Sequence, residues 1–241
     1  MPLAVGLYRT AVALVAVAGI AMEVARSESP HPFVYFTIQS NCVLAVCFAF
    51  AAWSAWRGRA GLPGGLKGAA TLYILITGLV FNFVLSDGPT QVPPAGAGEL
   101  VGRPWWAVDS SDLLHTVAPA AAALDFALFD RHRRLRWYYA PAWLVYPLAY
   151  VVFTTLRGAL FPTAGYPYFF IDVSLLGYSG LVRSMLLYGT AFLVLGLVLV
   201  AADRLLGMPA SERVLSRLRG DRPARGPAPV PVGESTGARV R

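Results

Sequence analysis

The sequence predicts an all-α polytopic membrane protein: six transmembrane helices in one bundle, with both termini in the cytoplasm. Three observations predict it. Hydrophobic residues fill 56% of the 241 positions and charged residues only 14%, where an ordinary soluble domain is about a quarter charged. Six separate apolar stretches reach the ~20 residues that a helix needs to cross the hydrocarbon, and none alternates with the period of two of an outer-membrane strand. Basic residues crowd the loops of one side and thin out on the other. This balance excludes a water-soluble globule, a disordered chain and a nucleic-acid-binding module. The formal net charge of +7 then reports orientation in a bilayer rather than an anionic partner.

The stretches run over residues 3–24, 33–56, 66–85, 110–129, 137–156 and 181–202, each bounded by charge, Gly or Pro. The first has Arg9 ahead of an apolar core, as a signal peptide does, but it is long and has no small-x-small site before Glu23, so it reads as a retained helix. Arg57, Arg59 and Lys67 flank the second loop, Arg131, Arg133, Arg134 and Arg136 the fourth, and Arg204 opens an Arg-rich tail. The other side holds only Arg26, Arg103, Arg157 and Arg183. The positive-inside rule puts both termini in the cytoplasm, as an even span count requires. Cys42 and Cys47 fall five apart in one apolar run, about 7.5 Å along a helix, and read as small buried apolar residues rather than a disulfide.

Residues 1–206 thus form the six-helix domain, and 207–241 a basic Pro/Gly/Arg-rich tail without a fixed fold. Residues 211–219 of the tail read either as a solvated basic stretch that fixes topology or as a short helix on the inner leaflet. The third loop carries PPAGAG and then the interfacial pair Trp105–Trp106. The fifth contains GYPYFFIDVSLLGY, aromatic but too interrupted for a seventh span, and is expected at the outer interface or folded back over the bundle. Lys67 is the only lysine. That bias, with the Ala and Gly richness, marks a bacterial gene of high GC content, so the expected membrane is a bacterial plasma membrane.

Polar side chains inside spans need an account, because a charge at the bilayer centre costs about 3 kcal/mol on insertion scales. At 1.5 Å per residue, Thr37 falls about 6 Å and His115 about 7 Å below the outer boundary, with Asn82 at a comparable depth. Thr37, Ser40 and Asn41 are spaced i, i+3, i+4, as are Asp112, His115 and Thr116, so each set shares a helix face. Asp112, one turn above His115, is placed to orient its ring. Nothing comparable is expected at the cytoplasmic ends. Each residue also has a plainer reading: a membrane Thr returns its hydroxyl to the i−4 carbonyl, Asn41 and Asn82 join helices, Asp112 sits in interfacial water, and His31 and His132 are solvated in loops. Tyr146, Tyr150, Thr154 and Thr155 line the same cavity or merely pack.

No Gly-x-Ser-x-Gly, Walker loop, His-Glu-x-x-His or Cys-x-x-Cys motif is present. Only His115 of the three histidines lies in a span, which disfavours a bis-His haem and a three-His zinc site, so no cofactor and no metal are expected. What remains is a hydroxyl nucleophile with a His base: Thr37 is weak until His115 takes its proton, and the amides of Asn41 or Asn82, or a backbone N–H, serve the oxyanion. At this depth an acyl chain entering from the membrane presents its carbonyl, so a lipid or fatty-acyl ester is the expected substrate and membrane lipids the expected partners. The rival reading is a non-catalytic lipid or small-molecule binding or transport protein that uses the same polar layer as its pocket.

The order of FTIQSN at 36–41, DLLHTVAPAAAALD at 112–125, YPLAY at 146–150 and YPYFFID at 166–172 resembles a bacterial group of six-span membrane proteins related to the animal androgen-induced protein and androgen-dependent TFPI-regulating protein. The resemblance covers roughly residues 5–203. It implies an integral-membrane threonine hydrolase acting on fatty acid esters of hydroxy fatty acids, open to fluorophosphonate labelling, with the family's Thr falling on Thr37 and its His on His115.

Overall fold

Six helices long and apolar enough to cross a membrane make up most of the chain. The computed structural model describes residues 2–27, 31–85 and 108–207. The PPAGAG segment, Trp105–Trp106 and the 211–219 segment lie outside the described residues. The helices are α1 (Pro2–Arg26), α2 (Phe36–Trp56), α3 (Gly64–Leu85), α4 (Ser110–Phe129), α5 (Tyr139–Leu160) and α6 (Val173–Leu206).

α3 stands between two halves of the core. On one side Val12 and Ala16 of α1, Leu44 and Phe48 of α2 and Ala118 and Ala122 of α4 close around Ile74. On the other, Leu72 and Ile76 meet Trp143 and Tyr150 of α5 and Leu199 and Val200 of α6. Many large apolar side chains point outward, among them Leu14, Val46, Phe83 and Leu186, as in helices whose solvent is lipid. Polar contacts pin α1 to α4 along its length: Ser110 Oγ donates to Glu23 at 2.6 Å near one end, and Tyr8 donates to the carbonyl of Ala121 at 2.8 Å toward the other.

Two helices are deformed by proline, and α3 repairs both. Proline has no N–H to give the carbonyl four residues back. In α5, Pro147 leaves the Trp143 carbonyl, and the helix breaks at Leu144; the Tyr73 hydroxyl donates to that carbonyl at 3.1 Å. In α4, the five residues Leu113–Val117 before Pro119 form a wide π turn, closed by Ala118 N–H to the Leu113 carbonyl. Pro119 has no N–H for the Leu114 or His115 carbonyl, and side chains of α2 and α3 reach both. Close approach is possible because residue 78 is glycine: a Cβ there would lie 2.9 Å from the Pro119 ring and 3.0 Å from the His115 carbonyl oxygen.

The sixth helix starts earlier than the apolar run suggests. Asp172 caps it, its Oδ1 accepting from Ser174 N–H at 2.8 Å. Gly177, at φ +64°, bends the chain before the long membrane run. The aromatic segment ahead of it folds back onto the bundle, with Ile171 in the core.

Candidate active site

α2 begins without an ordinary capping side chain. Its first two free amides are met by tyrosine hydroxyls from elsewhere: Phe36 N–H donates to Tyr150 at 3.2 Å, and Thr37 N–H to Tyr168 at 3.4 Å. Tyr150 passes its own proton to the Val34 carbonyl at 3.0 Å. Thr37 therefore sits in the first turn, with no helical i−4 carbonyl to receive its hydroxyl. Thr10, Thr71, Thr77 and Thr154 each make that return bond, at 2.8–3.1 Å. The Thr37 Oγ1 lies instead 3.2 Å from His115 Nε2 and 3.5 Å from the Tyr168 hydroxyl.

The His115 ring is held on three sides. Its Nδ1 lies 3.1 Å from the Ser111 carbonyl, with the Ser111 hydroxyl at 3.3 Å. A carbonyl can only accept, so Nδ1 carries the proton. That tautomer follows from the hydrogen-bond network, and it leaves Nε2 as an acceptor aimed at the Thr37 hydroxyl. Phe81 stacks on the imidazole with centroids 3.8 Å apart and planes 15° from parallel. His115 thus lies in the middle of the π turn, a deformation common at functional sites.

Thr37 is also at the edge of an apolar cavity of about 120 Å³ between α2, α3, α5 and α6. Ile76, Val80, Val151, Met185 and Phe192 line it, with Tyr150 and Tyr168 beside Thr37. Burial holds the Tyr168 phenol above its ordinary value, so the hydroxyl remains a neutral donor across the usual pH range.

The structure brings Thr37 and His115 together and gives the other candidates different work. Both hydrogens of the Asn41 amide are taken, by the Thr37 carbonyl at 2.9 Å and the Leu114 carbonyl at 3.4 Å. Those of Asn82 go to the Gly78 carbonyl at 2.8 Å and the His115 carbonyl at 3.2 Å. These amides satisfy the carbonyls around Pro119, so neither has an N–H for an oxyanion. The Asn41 Oδ1 is buried without a donor, and as an acceptor it cannot serve one either. Asp112 does not orient the imidazole; it closes a capping box with Asp109, whose Oδ1 accepts from Asp112 N–H at 2.9 Å while Asp112 Oδ2 accepts from Asp109 N–H at 3.2 Å. The Ser111 carbonyl holds the ring instead. Thr116 is exposed on the outer side of α4. Tyr146 donates to Gln39 at 2.9 Å, Tyr150 lines the cavity, and the Thr155 hydroxyl oxygen is buried without a hydrogen-bond partner.

Tyr168 escaped the sequence reading. It lies outside every span, and only its place in an aromatic segment too broken for a helix hinted that it returns to the bundle. The expectation that the opposite end holds no comparable polar layer is also corrected. Asp125 is fully buried about 15 Å along α4 from His115, where Arg9 Nε meets its Oδ1 at 2.9 Å. Arg9 reaches Asp130 at 3.1 Å, and the Lys67 ammonium bonds both carboxylates. His132 is likewise not solvated: it is buried, with Nδ1 3.5 Å from the Asp203 carboxylate, whereas His31 is exposed. Among the described residues, no three His, Cys, Asp or Glu side chains are grouped to hold a metal ion. No protein-family model, curated protein or solved structure matches the chain.

Proposed function

We propose that this protein is an integral-membrane hydrolase of lipid or fatty-acyl esters, with Thr37 as nucleophile and His115 as general base. The observation that carries the reading is the 3.2 Å approach of Thr37 Oγ1 to an imidazole nitrogen whose ring partner fixes it as the acceptor. The apolar cavity beside Thr37 supports a long acyl chain as the substrate's body. The resemblance to the threonine hydrolases, carried by the four motifs, implies the same two residues. The basic-residue asymmetry supports both termini inside, and the Arg-over-Lys bias with the Ala and Gly richness supports a bacterial plasma membrane; in this reading Thr37 and His115 lie in the outer half of the bilayer, with membrane lipids as surroundings and source of substrate.

In this reading Thr37 Oγ1 gives its proton to His115 Nε2 and attacks the acyl carbonyl carbon. The carbonyl oxygen becomes an oxyanion that takes a hydrogen bond from the Tyr168 hydroxyl, which is 3.5 Å from Thr37 Oγ1 and remains protonated. The bond to the alcohol breaks, the departing oxygen takes the proton from Nε2, and the acyl group stays on Thr37. A water then gives a proton to Nε2 and attacks the acyl carbon; the fatty acid leaves and Thr37 recovers its hydrogen. A base of this kind is worth ~10²–10⁴-fold.

The test is hydrolysis of a long-chain acyl ester by the purified protein, with fluorophosphonate labelling located by peptide mass. Wild type turns over and carries the adduct on Thr37; Thr37→Ala loses at least ~10³-fold of the rate and His115→Ala ~10²–10⁴-fold. Full activity in either variant overturns the assignment. The apolar cavity also favours a second reading, non-catalytic lipid binding or transport, and saturable binding of acyl esters by wild type with neither turnover nor adduct would establish that one.

A further inference from the structure

Asp203, 2% exposed near the end of α6, organises the turn between α4 and α5. Its Oδ2 accepts from Leu135 N–H at 2.8 Å, its Oδ1 faces the His132 ring, and its backbone carbonyl accepts from Arg133 N–H at 3.1 Å. Arg133 is held at φ +64°, the one positive φ outside glycine among the described residues. That conformation is costly for a side chain with a Cβ and persists where its surroundings impose it. The consequence is a fixed division: His132 and Leu135 turn inward and are buried, while Arg133, Arg134 and Arg136 turn outward. Arg204, next to Asp203, joins them.

Together the four arginines line a cleft of about 670 Å³. Two of them are propped on aromatic faces, Arg204 over Trp137 at 5.0 Å and Arg136 over Tyr138 at 6.0 Å. Among the described residues no carboxylate pairs with any of the four; Asp203 is committed to the turn, and Asp125 and Asp130 to Arg9 and Lys67. Four like charges around one cleft raise its potential, and that positive field attracts phosphate groups.

We propose that this cleft binds the phosphate-bearing headgroup of an anionic phospholipid from the leaflet at this end of the bundle. A lipid fits better than a soluble anion because the cleft opens beside the half-exposed rings of Trp137 and Tyr138 and next to Leu205, 86% exposed. Amphipathic rings over bare apolar surface mark headgroup level, and basic pockets between spanning helices bind anionic headgroups there.

Native mass spectrometry of the full chain, equilibrated with phosphatidylglycerol and phosphatidylcholine in mixed micelles, tests it. Wild type retains phosphatidylglycerol over phosphatidylcholine. The pair Arg133→Gln/Arg134→Gln loses that retention by on the order of tenfold, whereas Arg133→Lys/Arg134→Lys, with the charge kept, retains it within a few-fold. Equal retention of both lipids by wild type, or undiminished phosphatidylglycerol on the Gln pair, overturns the proposal. So does a Lys pair as depleted as the Gln pair, because the loss then comes from the altered turn rather than from charge. Displacement of the lipid by millimolar glycerol 3-phosphate identifies a soluble anion as the ligand and overturns the lipid assignment.

Discussion

The two polar regions of the bundle are built on opposite terms. At one end Arg9 and Lys67 face Asp125 and Asp130, two positive groups against two negative ones. At the other, Thr37, His115 and Tyr168 use neutral partners, and Thr37 and Tyr168 open onto an apolar cavity. Both sets bring polar groups of the spans together inside the bundle, which by default suggests function. The difference between them teaches that burial of a polar group is a weak sign of chemistry. A set whose members saturate one another ties helices together. A set with a hydroxyl directed at a base, next to space for a ligand, has capacity to spare.

That contrast is sharpest when one partner is removed from each end. Thr37→Ala should cost at least ~10³-fold in ester hydrolysis with little change in unfolding measured by denaturant titration in mixed micelles. Asp125→Ala should do the reverse, because it leaves the two cations Arg9 and Lys67 with Asp130 alone: stability falls by about 3 kcal/mol, while turnover per folded molecule stays close to wild type. A crossed result, with Asp125→Ala folded but inactive, would merge the two regions into one machine. Next in size, Tyr168→Phe keeps the ring and removes one donor, and should lower kcat by about 10²-fold with fluorophosphonate labelling of Thr37 retained more than turnover. Unchanged kcat removes Tyr168 from the oxyanion role. Asn82→Leu uncovers the His115 carbonyl and should cost about 1 kcal/mol of stability, with activity falling less than in the Tyr168 variant. The smallest effect belongs to Thr71→Val, which deletes a buried return bond to Lys67: about 0.6 kcal/mol and no change in turnover. A large loss of activity there would show that threonines with return bonds are not the bland ones.

How much of this was legible in the sequence depends on whether a signal was local. The six spans were, since each is a run of apolar residues. Thr37 and His115 were also within reach, because depth follows from counting residues along helices whose direction the loop charges set. The repair at Pro119 is written in the chain as a proline four residues after His115, but its consequence, two carbonyls met by Asn41 and Asn82, needs the neighbouring helices in place. Both asparagines therefore looked free to donate when they were not. Arg9, Lys67 and Asp130 sit close to helix ends, where charge reads as a topology marker; their meeting with Asp125 is a contact between three helices that no single stretch reveals. Tyr168 was hidden for the opposite reason, being placed by a segment with no period at all. The early start of α6 had a local sign in Asp172 followed by Ser174, overshadowed by the Gly and Pro around it.

Gly189 of α6 lines the cavity, and a Cβ built there meets nothing within 4 Å. The wall can thus thicken at that one position without disturbing the threonine, the imidazole or the phenol. If the proposed ester hydrolysis holds, that position becomes a ruler for acyl length that can be reset apart from the reacting groups, so that selectivity drifts through a residue that never meets the bond being cut.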